Sequence, residues 1–581
     1  MLFLYHLVSF QEAFVTRDRS SSPARSPRMR VRLVAGFVAG LVTALVAPAA
    51  RADDALSVPV ASKARKPIPL PRGEKIELSL QQAIQLTLEN VLDLDVAAYN
   101  LEEARFGILA ARGGFDPNIE VDLGATDAET LTTSSFQSPE TKTATANAFL
   151  TGLLPYGTTY SLGWQNGRLD SPIPGYALIP GINYLNPTYS SNLALKLTQP
   201  LLRNFGRGVN ERLIVQARLG RDTNAYAFVV AVQTAIQSAD SAYWDLVYAV
   251  ENLKAKQEAL AIAKDLNRIT QIKIDVGASA PIDIVQTEVT IAQREQDIIA
   301  AEGLIGDAQD RLRRLVNVQS VPDWNRPIVP TDRPSRASLE QPLNPDVDQG
   351  YETALKTRPE VRQALLAIES KKVTYAYQKS QLRPRFDLSA GYGYSGLGAQ
   401  TVVTDESGKP LYQLNYSSAL SQIGHADYPA WNVGFVFAVP IGNRAARGNF
   451  AIADADLELA RTNFAIEKAN LQVEVRAAAR GIDIGYRSLA AATKARELGE
   501  RNLDAEKKKY QNGMSTTFQV ASVANDLTAA VTAELLAIAA YQKDITAWHK
   551  AIGDLLPQRS IVLSGLPVSL DATPAEEGAV K

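Results

Sequence analysis

Residues 193–208 read LALKLTQPLLRNFGRG, and residues 435–443 read FVFAVPIGN. In the first stretch Leu193, Leu195 and Leu197 alternate with Lys196 and Thr198 after Asn192, the pattern of a strand with one apolar face. Gln199 and Pro200 end that alternation, and the next 80 residues, 201–280, contain no proline. The second stretch repeats the arrangement: Trp431, Val433, Phe435 and Phe437 alternate with Asn432 and Gly434, Pro440 closes the strand, and residues 441–556 are free of proline over 116 positions. Each stretch is therefore a corner where a strand gives way to a helix that nothing interrupts.

The helices announce their packing. Val229, Ile236, Tyr243 and Val250 fall seven apart, as do Leu246, Leu253 and Leu260. Phe450, Leu457, Phe464 and Leu471 repeat by seven and, after a four-residue shift, Val475, Ile482 and Leu489 continue until Arg496 interrupts the seam and Leu503 and Tyr510 resume it. Sustained heptads with one stutter predict coiled-coil packing. Glycine turns close both helices, at Val276-Gly277 and Asn512-Gly513, where a C-terminal glycine is expected. From Gly208 to Gly277 is 69 residues and from Gly448 to Gly513 is 65, so each helix spans about 100 Å.

The corners belong to an internal repeat. Asp93-Leu94, Glu102, Pro117 and Gly124 match Glu360-Val361, Glu369, Pro384 and Gly391 at an offset of 267. Asn192, Pro200 and Arg207-Gly208 match Asn432, Pro440 and Arg447-Gly448 at 240, and Gly277 matches Gly513 at 236. The drop from 267 to 240 puts 27 extra residues into the first copy between Pro117 and Pro200. They read as an added hairpin turning at Pro155-Tyr156-Gly157, with Tyr160, Leu162 and Trp164 on one face, which predicts four strands in the first copy and two in the second. Ile119, Val121 and Leu123, and Phe386, Leu388, Tyr392 and Tyr394, alternate in the same way. A soluble antiparallel sheet shows such alternation too. The crowd of aromatics, among them Tyr160, Trp164, Tyr392, Tyr394 and Trp431, favours a transmembrane β-barrel.

Composition bounds the chemistry. With no cysteine in 581 residues, disulfides, thiolate metal sites and cysteine catalysis are excluded, and three histidines leave little for acid–base or metal chemistry. From Met29 a basic MRVR, an apolar run to Val46 and Ala50-Arg51-Ala52 form a secretory signal with cleavage expected between Ala52 and Asp53, and residues 1–28 read as an over-called start. Cleavage leaves 53 basic against 60 acidic residues, which argues against a nucleic-acid partner.

The expected order is a leader and signal peptide over 1–52, a proline-rich segment over 53–73, a first repeat over 74–320, a proline-rich linker over 321–345, a second repeat over 346–556 and a tail over 557–581. The first repeat holds a helix from Ser79 to Gly114 with a Ser79–Gln82 capping box, strands in 117–200, the long helix 208–276 and a return helix 282–316. The second holds a helix over 347–382, strands in 384–440, the long helix 448–512 and a return helix 515–555. Two half-length helices end to end match each long one, with the linkers at mid-height. That is a tube of helices with a belt at its waist.

This order resembles the TolC-like outer-membrane efflux protein family over residues 74–556. The carrying stretches are LSLQQAIQLTLENVLDLDV, FDPNIEVDLGA, the two corners, YWDLVYA, VGASAPIDIVQTE, RPRFDLSAGY and NGMSTTFQV, which recur in the same order in both copies. The resemblance implies a mixed fold: a homotrimeric α-barrel of long coiled-coil helices in the periplasm, joined to a β-barrel shared among the chains in outer-membrane lipid. It also implies tips at Val276, Gly277, Asn512 and Gly513 that face a periplasmic adaptor (membrane fusion) protein, with an inner-membrane pump beyond it. Gln199, Pro200, Pro440, Gly208 and Gly448 would mark the strand–helix corners. The activity implied is passive conduction of solutes or proteins, in efflux or type I secretion, with no cofactor and no enzymatic step. Relatives narrow the duct with acidic rings six and nine residues past the second glycine turn. Those positions here are Gln519 and Ser522, and the nearest acidic groups are Asp283, the first-copy counterpart of Gln519, and Asp526.

Two other classes share parts of the pattern. A periplasmic adaptor would show one coiled-coil hairpin with compact β-domains, and a structural envelope protein would not need the strands. Among single residues, Asp275, Asp283, Glu288 and Asp526 fit a solvated face or a duct lining, Tyr243-Trp244 fits helix packing, and His425 and His549 fit surface or capping roles. Nothing in the sequence names the cargo.

Overall fold

Six strands form one antiparallel sheet in the order Pro429–Ala438, Arg385–Ala399, Thr188–Pro200, Thr159–Asp170, Glu140–Leu153 and Asn118–Glu129, and the long helices continue it as a layer. The computed structural model describes residues 71–563 apart from 72, 176–184, 278, 334–341, 400–401, 405–409 and 414, together with 566 and 568. The leader, the Ala52–Asp53 cleavage site and all of 53–70 and 569–581 lie outside the described residues.

The first copy begins with β1 (Ile76–Leu78), then α1 (Leu80–Asn90) and α2 (Leu92–Arg112). Ser79 and Gln82 cap α1 reciprocally. The single helix expected over Ser79 to Gly114 is broken at Val91, whose ψ of 128° is extended. The helix expected over 347–382 breaks likewise at Arg358, between α5 (Val347–Thr357) and α6 (Pro359–Gln381). There the cause is Pro359, which disfavours helical backbone at the residue before it.

Strands β2 (Asn118–Glu129), β3 (Glu140–Leu153), β4 (Thr159–Asp170) and β5 (Thr188–Pro200) follow α2. A one-turn helix, Arg207–Asn210, leads into α3 (Arg212–Asp275), and α4 (Ile282–Val316) returns. In the second copy β7 (Arg385–Ala399), a small hairpin of β8 (Val402–Thr404) and β9 (Pro410–Gln413), helix α7 (Tyr416–His425) and β10 (Pro429–Ala438) precede α8 (Arg444–Gln511) and α9 (Thr517–Ile552). Gly448 therefore lies inside α8 rather than at its start, and Gly208 lies in the one-turn helix ahead of α3.

The linker over 321–345 is more than a connector. It carries a one-turn helix, Val321–Trp324, and β6 (Ile328–Pro330), which pairs in parallel with β1 through Ile76↔Ile328 and Leu78↔Pro330. Proline is tolerated there because it ends the strand. Tyr243, fully buried in α3, donates its hydroxyl to Asp332 Oδ2 at 2.7 Å, and the same carboxylate accepts the Leu80 amide at the start of α1, 2.7 Å away. A carboxylate at a helix N-terminus is favourable, so the belt is tied to both helices at once.

Neighbour relations define the helical layer. Toward the tips the order is α4-α3-α9-α8; toward the sheet it is α2-α3-α6-α8. The heptad residues supply the cores. Ile236, Tyr243 and Leu246 are buried in the first copy, and Leu471, Val475, Ile482 and Leu489 in the second. At the tips Leu266 meets Leu503, Tyr510, Val520 and Val523. One 18-residue window of α9 has a mean hydropathy of 1.4, and this helix packs between α3 and α8.

Candidate functional site: two faces, two edges and two tips

Pairing without a register shift puts every second side chain of the six-stranded sheet on one face. Along one row lie Leu123, Ala146, Asn166, Ser191 and Gly396; two rows nearer the helices lie Leu162, Leu195, Tyr392 and Trp431. Tyr160, Trp164, Tyr392, Tyr394 and Trp431 all share this apolar face. The opposite face carries Glu120, Asp122, Asn147, Gln165, Asn192, Lys196 and Asn432. A sheet apolar on one side and polar on the other suits a wall between hydrocarbon and water.

The extra hairpin is β3 and β4, inserted between β2 and β5. Its turn lies at the level of the corners: the Gly206 amide donates to Tyr156 O at 3.2 Å, Gln199 Nε2 donates to Pro200 O at 2.7 Å, and Thr158 bonds Gln199. The hairpin thus runs the depth of the sheet. Pro440 lies just past β10, and Asn443, at φ 42°, caps α8.

Both margins of this wall are open. Among the described residues β2 and β10 each lack a second neighbour, and every residue of β2 is exposed. Ile119, Val121 and Leu123 on one margin, and Trp431, Val433, Phe435 and Phe437 on the other, are 52% to 74% exposed. The helices repeat the pattern: Leu92, Val96, Tyr99 and Phe106 line the free side of α2, with Ile282, Val285 and Val289 on α4 below. Ile452, Leu459, Ile466 and Val473, seven apart, line the free side of α8. One α8 heptad seam is buried inside the chain, and this second one is bare.

At the tips Gly277 and Gly513 adopt φ of +73° and +76°, a region where a side chain is strained. Val276 and Asn512 cap α3 and α8, and the Met514 amide closes the second turn on Lys509 O at 2.9 Å. Lys273 Nζ lies 3.5 Å over the Tyr510 ring and donates to Tyr510 O at 2.6 Å. Ser515 and Lys509 hold the Glu506 carboxyl below its usual range. Of the candidate constriction residues, Asp283 sits half-buried in the first turn of α4, while Gln519, Ser522 and Asp526 follow one another along α9. The acidic pair is therefore divided between two hairpins.

Several structural residues gave no motif in the sequence. Arg358, 6% exposed at its side chain, bonds Glu360, Glu474 and the last carbonyls of α9. Arg496, which interrupts the heptad seam, meets buried Glu534 at 2.7 Å. His425 is the last residue of α7 and not part of a loop, its Nδ1 2.7 Å from Ser421 O; Asn415 and Ser418 form the capping box that could have revealed that helix. His549 Nδ1 lies 2.8 Å from Asp554 in the last turn of α9.

A family model for outer membrane efflux proteins matches residues 83–318 and 350–554, in register with the two copies. The chain belongs to the outer membrane efflux protein family. No curated protein sequence matches the chain. Among solved structures the outer-membrane channel OprN aligns with a TM-score of 0.57 at 16% identity, over 82% of this chain and 90% of its own. The CmeC outer membrane channel of Campylobacter jejuni gives 0.57 and 16% over 82% and 86%, and the outer membrane protein VceC of Vibrio cholerae 0.56 and 15% over 82% and 96%. Membership in the outer membrane efflux family makes this chain a component of an outer-membrane efflux duct, with its helices in the periplasm.

Proposed function

We propose that three copies of this chain close into one ring and that the ring, not the chain, is the conduit. The observation that carries this reading is the coincidence of open margins: β2, α2 and α4 expose apolar stripes along one side, β10 and α8 along the other. In a ring, β2 of one protomer would pair with β10 of the next while the α8 stripe covers α2 and α4, a head-to-tail contact that closes on itself. Three six-stranded sheets would make an eighteen-stranded barrel, half as wide again as one with four strands per chain, since diameter grows with strand number. The polar face would line the lumen. The exposed turns at Val276, Gly277, Asn512 and Gly513 would meet the periplasmic adaptor, and an inner-membrane pump would supply the energy, the duct itself passing solutes or proteins passively.

At the periplasmic mouth, Asp283 and Asp526 would give a cation preference that salt screens, with Gln519 leaving the constriction less selective than an acidic ring. The test of the ring is mass measurement in detergent. The extracted protein should be a trimer, and the variant carrying Leu459→Glu and Ile466→Glu should remain folded yet monomeric; a monomeric parent would refute the proposal.

A further inference from the structure

Helix α7 stands on the wrong side of the wall for an ordinary lumenal or aqueous loop. It lies against the apolar face of the sheet, at the end away from the helices, across β7 and β5. A Cβ added to Gly396 would come within 2.0 Å of Ala419 O, and one added to Gly398 within 2.1 Å of Asn415 O, so both glycines are the seat of the helix. Register puts these glycines on the same face as Tyr392 and Tyr394. Asn166 and Ser191 lie in the Gly396 row, polar residues where the alternation calls for apolar ones.

That row is supplied with partners. Ser191 donates to Asn166 Oδ1 at 2.6 Å, Tyr416 donates to the same oxygen at 3.1 Å, Asn166 Nδ2 donates to Ala146 O at 3.1 Å, and Trp164 Nε1 donates to Ser191 Oγ at 3.1 Å. Ser191 is fully buried and Asn166 nearly so. Beyond β10 the margin of β7 would be bare, yet Gln422 restores the ladder by accepting from Leu397 N at 2.9 Å and donating to Leu397 O at 3.0 Å. The helix is built into the wall by a sequence shaped to receive it.

Its height is set by what lies beneath. From Phe386 to Tyr394 the face is apolar for about 27 Å along the strand. The last two of these rows carry Tyr392, Trp431, Tyr394 and Trp164, the aromatic girdle that marks a membrane boundary. Directly above it the wall turns polar at Asn166 and Ser191, so the apolar band ends there. The outward side of α7 is Ser417, Ser421, Gly424 and His425, spaced as one helical face, with neither an alkyl side chain nor an acidic, lysine or arginine group.

We propose that α7 is an interfacial collar: it lies outside the barrel, in the headgroup layer of the outer leaflet, with its hydroxyl-bearing face toward the lipid headgroups. This rests on the reading of the sheet as an outer-membrane barrel. The collar fixes how deep the barrel sits and seals the part of β7 that β10 leaves unpaired.

The absence of cysteine makes the test direct. Single nitroxide labels are placed on Ser421→Cys, on Val433→Cys in the apolar band and on Leu131→Cys in a fully exposed loop, in the full chain reconstituted in phosphatidylethanolamine–phosphatidylglycerol vesicles. Collision with oxygen is compared with collision with a water-soluble nickel chelate. The oxygen-to-nickel ratio at Ser421 should fall several-fold below that at Val433 and several-fold above that at Leu131. A ratio equal to that at Leu131 places α7 in open water, and one equal to that at Val433 places it in hydrocarbon; either overturns the collar. An aqueous ratio at Val433 itself would instead overturn the membrane reading of the sheet. Should Ser421→Cys fail to assemble, Ser417→Cys reports on the same face.

Discussion

At matched heights near the tips, the two copies solve one packing problem differently. The 236-residue offset sets Leu260 and Ile298 of the first copy against Arg496 and Glu534 of the second. The first hairpin places half-buried aliphatic side chains there on α3 and α4, the second joins α8 to α9 through an ion pair 2.7 Å long whose carboxylate is 4% exposed. Above the corners the copies diverge again: the first adds a hairpin to the wall, the second adds a collar outside it. The helical layer tolerates chemical exchange at fixed geometry, whereas the sheet accepts whole elements, because a heptad seam fixes spacing and a strand edge does not.

The largest effect should come from breaking the ion pair on one side. Glu534→Ala leaves the largely buried Arg496 guanidinium with only the half-exposed Glu500 carboxylate beside it, a loss of about 3 kcal/mol in helix unfolding followed by circular dichroism. Combining Arg496→Leu with Glu534→Ile, which copies the first repeat, should return stability to within about 1 kcal/mol of the parent. If the double variant is as weak as the single one, the two hairpins are not equivalent at this height.

Where the copies agree, damage should agree as well. Leu246 and Ile482 are related by the same offset and are both fully buried, so Leu246→Ala and Ile482→Ala should each cost about 2–5 kcal/mol by the same assay. A loss confined to one of them would show that the repeats carry unequal loads.

Asp240 belongs to the first copy alone, for the matching positions in the second are Arg476 or Arg480. Burial pushes its carboxyl up to about 6, opposed by the Arg559 guanidinium 2.7 Å away. A raised native pKa means the folded state holds the proton over a range where the unfolded state has released it. The parent should therefore lose stability relative to Asp240→Asn as pH rises from about 4 to about 6, and no further above that. Paired melting curves across that range check the sign.

The smallest effect concerns the mouth. Asp283→Ala and Asp526→Ala should each shift the reversal potential of planar-bilayer currents by a few millivolts toward lower cation selectivity, more at low salt than at high. Unchanged selectivity in both, and in the double variant, would move the gate away from these side chains.

Much of this was legible in the residues. The heptads coincide with the buried cores, the proline-free runs with the long helices, and the extra residues between Pro117 and Pro200 with the hairpin of β3 and β4. What escaped was nonperiodic. Pro359 broke a helix whose apolar rhythm continues through it, and Asp332 became a lock only because β1 and β6 bring it to Tyr243, 89 residues away. Arg496 read as a flaw because its partner Glu534 lies on another helix. Helix α7 is ten residues long, too short for periodicity to stand out between strands.

The bare margins have a genetic consequence. If copies of the chain close one ring, as proposed, each shares its fate with the copies beside it, so a variant that still assembles but blocks the duct would poison rings built partly from the parent. In the proposed ring of three, equal expression of both forms with random mixing would leave only about one ring in eight wholly parental. Blocking variants should therefore be dominant, while variants that destroy the margins, and so never enter a ring, should be recessive.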